Sequence, residues 1–220
     1  MIADLRKQEE VKVCEAYTNN NGGIMEEREV FTKNTEFVIY PISDEDRSNY
    51  TELHKQLNGE KSLYLNPRSK DMMWEQTLNG TDRIFSLYTV QGDYCGSVEL
   101  QKPDSRTPEI GIDLLESRRN MGIALKAVPL FAKKIYEIKD MDYFIIRISS
   151  NNAHSKHVFE KMGAVKIGEE ETDFQKFAER FGTTIEKKGQ DLEQYRNLFD
   201  ESDDETVYRY KLEPEVLLQY

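Results

Sequence analysis

The chain has 220 residues, enough for one substantial core and short for two independent domains. Its 30 Lys and Arg against 41 Asp and Glu give a net charge of −11, which argues against nucleic-acid binding and favours encounter with cationic partners. No apolar run approaches the roughly 20 residues that cross a bilayer, the opening MIADLRKQEEVKVCEA has charges where a signal peptide needs an apolar centre, and Cys14 and Cys95 lack metal-ligand spacing, so a cytoplasmic, reduced protein with no membrane association and no bound metal is expected.

Residues 1–35 read as an N-terminal extension, where Asn19 to Gly23 carry a turn signal between two apolar-alternating stretches and a hairpin is expected. Glu36 to Ile42 form a strand stopped by Pro41 and Ser43, and Ser43 with Asp46 three residues on has the spacing of a helix cap. The helix that follows carries Tyr50, Leu53 and Leu57, with Asp44, Glu45 and Asp46 at its start. A second helix around Lys70 to Leu78 holds Trp74 as a core anchor. Ile84 to Val90, the turn Gln91-Gly92-Asp93 and Tyr94 to Leu100 form an antiparallel hairpin.

The centre of the chain is Glu109 to Ile138. Ile110, Ile112 and Leu114 alternate with Glu109, Gly111 and Asp113, the period of a strand. From Ile123 the period becomes helical, with Ile123, Ala127, Phe131 and Ile135 on one face. Pro129 removes one hydrogen bond from that helix, and a kink is expected there. Between strand and helix stand Arg118, Arg119, Asn120, Met121, Gly122, Ile123 and Ala124. A helix N-terminus offers unpaired N–H groups and a partial positive charge, two arginines add to it, and Gly122 lets a phosphate approach the backbone, so a phosphorylated cofactor is the expected ligand.

Tyr143 to Ser149 form another strand and precede Asn152-Ala153-His154-Ser155, then Glu160-Lys161-Met162-Gly163. Strands are also read at Ala164 to Gly168 and Glu205 to Leu212. Between them Phe174, Phe177 and Phe181 lie on one helical face and Leu192, Tyr195, Leu198 and Phe199 on another, so a helical pair inserted at about 171–205 is expected.

Arg119-x-x-Gly122-x-Ala124 after a strand matches the acetyl-CoA motif, Gln/Arg-x-x-Gly-x-Gly/Ala, of the GNAT N-acetyltransferases. Asn152-x-x-Ser155 followed by Glu160-Lys161-x-Gly163 resembles that family's second signature, with Ala164 in place of the usual aromatic, in phrasing similar to the branch containing ribosomal-protein N-terminal acetyltransferases. The resemblance covers about residues 36–170 and the last strand. It implies an α/β (α+β) fold in which a mixed, mostly antiparallel sheet is flanked by helices, forming a single domain over 36–220 with the N-terminal extension and the helical insertion added to it.

The resemblance also implies transfer of the acetyl group of acetyl-CoA to a primary amine by direct attack, with coenzyme A held by Leu114, Arg118, Arg119, Asn120, Met121, Gly122, Ile123, Ala124 and Asn152. Such a reaction needs a base to take the ammonium proton, a polarised carbonyl and a proton for the leaving thiolate. Glu109 is the first choice for the base, with Asp113 and Glu99 as alternates. A backbone N–H near Asp113 or Leu114, where a bulge in the family splays the strands, would polarise the carbonyl. The tyrosine that many relatives place seven residues beyond the motif asparagine is Phe159 here, so Ser155 is assigned as donor. The acceptor is a cationic amine, whether a protein N-terminus, a polyamine or an amino-sugar. A homodimer is left open, and a non-catalytic acyl-CoA-binding or protein-interaction module is the alternative.

Overall fold

A computed structural model describes residues 28–59, 62–80, 82–171, 173–189, 191–192, 195 and 206–217. Most of the expected N-terminal hairpin, and most of the second helix of the insertion, fall outside these residues.

Eight strands form one sheet in the order β1-β2-β3-β4-β5-β6-β8-β7. They are β1 (Thr32–Lys33), β2 (Phe37–Pro41), β3 (Arg83–Thr89), β4 (Tyr94–Gln101), β5 (Glu109–Leu114), β6 (Phe144–Ser149), β7 (Val165–Glu171) and β8 (Thr206–Leu212). Every neighbouring pair is antiparallel except β5 with β6. Helices α1 (Arg47–Asn58), α2 (Lys70–Asn79), α3 (Ile123–Ile138), α4 (Ala153–Lys161), α5 (Asp173–Lys187) and α6 (Pro214–Leu217) flank the sheet. The mixed, mostly antiparallel architecture is the one expected.

The alternation in β5 sorts the two faces. Ile110, Ile112 and Leu114 join Val98, Phe144 and Ile146 in a core with Ile123, Ala127, Phe131 and Ile135 of α3. Phe159 of α4 and Met162 just after it complete that layer, and the missing tyrosine is thus a buried core phenylalanine. Helix α3 runs unbroken from Ile123 to Ile138 with Pro129 buried inside it. The Pro129 ring withholds one N–H from the helix ladder and crowds the carbonyl of Leu125, one turn back.

The opposite face is polar at its centre. Register places Ser97, Glu99 and Gln101 of β4 beside Asp113, Gly111 and Glu109 of β5. Helix α1 covers one flank of this floor and α5 approaches the other, where Lys176 reaches Glu170 of β7. Trp74 is buried as expected, and its indole N–H donates to Asp44 Oδ1 at 2.7 Å.

The acidic start of α1 differs from its sequence reading. A short 3-10 turn, Asp44–Asp46, precedes the helix, and Asp46 Oδ2 accepts from Ser43 N–H at 3.0 Å in the cap that the Ser43/Asp46 spacing predicted. Asp46 is fully buried and ion-paired with Arg28, with a further hydrogen bond from Tyr88 Oη at 2.6 Å. Burial of a carboxylate is tolerated because both of its oxygens are satisfied by a charged or hydroxyl donor.

The bulge lies one strand away from where it was sought. Leu87 pairs with Gly96 and Tyr88 with Tyr94, so Cys95 is the extra residue of β4, whereas β5 keeps an unbroken register with β4 from Glu109 to Leu114.

Candidate active site

Strands β5 and β6 pair at one position only, Glu109 with Ile145, where Ile145 N–H donates to Pro108 C=O at 2.9 Å. Beyond it the two strands diverge toward their C-terminal ends. Leu115 N–H donates to Cys95 C=O, so odd-numbered amides of β5 face β4 and those of Ile112 and Leu114 face the gap. A V-shaped opening lined by strand N–H groups can take an extended polar chain in place of a strand and can polarise a carbonyl laid against it.

The sequence-predicted cofactor residues gather at the open end of this gap. After a 3-10 turn at Glu116–Arg118, Asn120 and Gly122 adopt left-handed φ values of +61° and +74°, and Gly122 is the N-cap of α3. A Cβ at Gly122 would meet nothing within 4 Å, so the space beside the helix start is open to an anion. Asn120 and Met121 are exposed, Leu114 and Ala124 half-buried, and Ile123 is turned into the core. The two arginines are tethered: Arg119 Nε donates to Leu114 C=O at 3.1 Å, and Arg118 lies 3.2 Å from Asp93 of the β3–β4 turn. Gln56 of α1 accepts from Glu116 N–H at 2.9 Å, joining α1 to the start of the loop.

Asn152 stands across the gap, at the end of β6. Its Oδ1 accepts from Ser155 N–H at 2.9 Å and caps α4, which leaves its amide N–H groups for a ligand. Ser155 is half-buried in the first turn of α4. The parallel pairing brings Asn152 and Ser155 beside the Arg118–Ala124 loop but not beside Glu109, which lies at the closed end of the gap, about 17 Å of strand from Leu114.

Glu109 is buried and flanked by cations. Lys102 Nζ stands 3.3 Å from Oε2 and Arg147 Nε 3.9 Å from Oε1. Burial pushes its carboxyl above the ordinary value, against the opposing charges of Arg147 and Lys102 and with the help of Glu170. Glu99, half-buried on the adjacent strand, is also raised, chiefly by burial; the hydrogen bond from Gln101 Nε2 at 3.1 Å opposes this, and the charges of Asp82, Asp113 and Glu109 add to it. The floor is therefore a cluster of carboxylates.

Sequence reading missed what overhangs that floor. Tyr50 and His54 of α1 pack with Tyr64, with ring centroids 4.5 Å apart for Tyr50–His54 and 4.4 Å for His54–Tyr64. Burial lowers His54 to about 4, so it is neutral at physiological pH. Burial, Tyr64 and then the charges of Glu99 and Asp113 raise the Tyr50 phenol, which places that hydroxyl near the floor. Apolar spacing alone marked Tyr50 as core, and the strand register that brings carboxylates beneath it carries no local signal. On the outer side of α1, Asp44 and Glu45 line a concavity of about 720 Å³ with Arg47, Asn49 and Glu52. Among the described residues no group of His, Cys, Asp and Glu could hold a metal ion, and no helix is long and apolar enough to cross a membrane.

Residues 35–165 match the acetyltransferase (GNAT) domain family, more than half of the chain. The chain belongs to the GNAT acetyltransferase family. It is an acetyl-CoA-dependent acyltransferase, with acetyl-CoA as cosubstrate and coenzyme A as product. Similar solved structures include the spermidine N-acetyltransferase from Vibrio cholerae in complex with CoA and spermine, at 15% identity and TM-score 0.61 over 84% of this chain and 99% of that one. A spermidine/spermine N-acetyltransferase from the same organism in complex with manganese ions is similar at 14% identity and TM-score 0.60, over 84% and 96%. At these identities the likeness is one of fold. No curated protein matches the sequence.

Proposed function

We propose that this GNAT enzyme acetylates a primary amine carried by a cationic, polyamine-like acceptor, with Glu109 as the base. The observation that carries the reading is the acidic floor along β5 on one face of the sheet, with Glu109 at the closed end of the β5/β6 gap, Glu99 opposite Gly111 and Asp113 nearer the open end. An ammonium ion is drawn to such a floor, and a second charged nitrogen of the same molecule finds a second carboxylate there. The Vibrio cholerae enzyme that shares the fold was solved with spermine, which is consistent with a polyamine acceptor.

The pyrophosphate of coenzyme A sits on the loop from Arg118 to Ala124 and the pantetheine arm lies along the gap, with an Asn152 amide N–H donating to it. That course brings the thioester toward the closed end, where the Ile112 N–H polarises the acetyl oxygen as charge develops on it. Glu109 takes the ammonium proton directly or through water; the nitrogen lone pair forms the new C–N bond, the tetrahedral intermediate collapses, and the C–S bond breaks. The second proton, shed by the nitrogen as the intermediate collapses, passes through water to the leaving thiolate, with the Ser155 hydroxyl giving one proton as it receives another.

The test is coenzyme A release with saturating acetyl-CoA and a panel of spermidine, spermine, a basic peptide with a free N-terminus and an aminoglycoside. Fastest turnover with the polyamines is expected. Preference for the peptide would move the acceptor to protein N-termini, and absence of release with every amine would favour an acyl-CoA-binding module without turnover.

A further inference from the structure

Five charged side chains cross the polar face in alternating sign: Lys102, Glu109, Arg147, Glu170 and Lys176. Lys102 Nζ to Glu109 Oε2 is 3.3 Å, Glu109 Oε1 to Arg147 Nε 3.9 Å, Arg147 Nε to Glu170 Oε1 2.8 Å, and Glu170 Oε2 to Lys176 Nζ 3.6 Å. They come from five separate places: the loop after β4, then β5, β6, β7 and α5. The last belongs to the insertion between β7 and β8.

The middle of the chain is asymmetric. Arg147 donates a hydrogen bond from Nε to Glu170 and stands more than an ångström farther from Glu109. Coulomb energy falls with distance and a hydrogen bond fixes direction, so Glu170 holds the guanidinium more firmly than Glu109 does. We propose that Arg147 is a positioning residue for Glu109 and that Glu170, braced by Lys176 of α5, sets how much of the Arg147 charge Glu109 receives. The insertion helix thereby reaches the proton-accepting group without touching substrate. This rests on the reading of Glu109 as base.

The charged groups around Glu109 are, among the described residues, Lys102 after β4, Glu99 on β4, Arg147 on β6 and Glu170 on β7, with Lys176 of α5 and Arg209 of β8 acting on Glu170. Burial alone would raise Glu170, but the hydrogen bond and charge of Arg147, with Lys176 and Arg209, hold it below its ordinary value, so it is an anion wherever the enzyme works. Its negative charge acts on Glu109 directly and also diverts Arg147. Both effects favour the protonated form of Glu109. Removing Glu170's charge should therefore lower the proton affinity of Glu109, and removing Arg147's should raise it.

The experiment follows the side-chain carboxyl carbon of Glu109 by NMR in the full-length protein labelled with ¹³C-glutamate, assigned by its loss in Glu109→Gln, beside the pH dependence of kcat/KM for spermidine. In Glu170→Gln the Glu109 midpoint should fall by about half a unit or more, in Arg147→Gln it should rise by a similar amount, and in Arg147→Lys it should return most of the way. Lys176→Gln, which strengthens Glu170's effective charge, should give a smaller rise. An unmoved midpoint in both Glu170→Gln and Arg147→Gln overturns the proposal. A midpoint that moves while the acid limb of kcat/KM stays in place upholds the coupling and instead removes Glu109 from the role of base.

Discussion

A Cβ placed on Gly96 would stand 1.9 Å from the carbonyl oxygen of Asp113. The residue follows the Cys95 bulge and lets β4 lie against the end of β5 where the gap opens. Alanine there must displace backbone rather than a flexible side chain. Gly96→Ala should cost at least about 2 kcal/mol, a shift of about 4–8 °C in thermal midpoint for a chain of this size. Unchanged melting by calorimetry would mean that β5 can retreat without penalty.

Gly122 offers the opposite case. Space around it is open, so Gly122→Val meets no neighbour, and its cost is the left-handed φ and the methyl groups projecting where an anion would sit. The variant should fold, with coenzyme A affinity reduced about tenfold or more by calorimetry. An unaltered affinity in the folded variant moves the pyrophosphate elsewhere.

Glu109→Gln should slow turnover about 10²-fold, a usual contribution from a positioned base, with coenzyme A affinity little changed. The stability effect has the other sign. Burial leads in raising the native carboxyl above its unfolded value, so folding takes up protons, and the stability linked to this group is present at low pH and lost as pH rises through the raised native value. At neutral pH the amide should therefore be no less stable than the carboxylate. Denaturant unfolding that finds the variant clearly destabilised would make the ion pairs to Lys102 and Arg147 the purpose of Glu109.

What was legible in the chain was local. The period change from Leu114 to Ile123 placed β5, the loop and α3, and the turn Gln91-Gly92-Asp93 placed the β3–β4 hairpin, because each signal lies within a few neighbouring residues. The ion chain was not legible, since Arg147 and Glu170 meet only when β7 is laid outside β8. The burial of Asp46 was not legible for a similar reason: its partners Arg28 and Tyr88 lie far from it along the chain. The bulge in β4 carries a glycine after it, but many strand glycines mark nothing of the kind.

Ser155→Ala should be mild. A thiol near its reference value of about 8.5 leaves as thiolate with little assistance, and the main-chain cap to Asn152 survives the change. A loss of less than about tenfold in kcat is expected, and a loss near a thousandfold would make the hydroxyl an obligatory donor.

The last prediction concerns how the acceptor arrives. With a net charge of −11, long-range attraction should assist a polycation, fading as added salt shortens the screening length to about 8 Å at physiological ionic strength. At saturating acetyl-CoA, kcat/KM for spermine should drop between low and high salt more than that for a singly charged amine. The structure divides the carboxylates that can contribute. Asp46 is fully buried and neutralised by Arg28, so Asp46→Asn should lower stability and leave the salt slope alone. Glu99 lies on the floor and accepts from the Gln101 amide, so Glu99→Gln should flatten the spermine slope while sparing the monoamine. Equal salt sensitivity for both amines, before and after Glu99→Gln, would assign the acidic balance to solubility and take Glu99 out of acceptor binding.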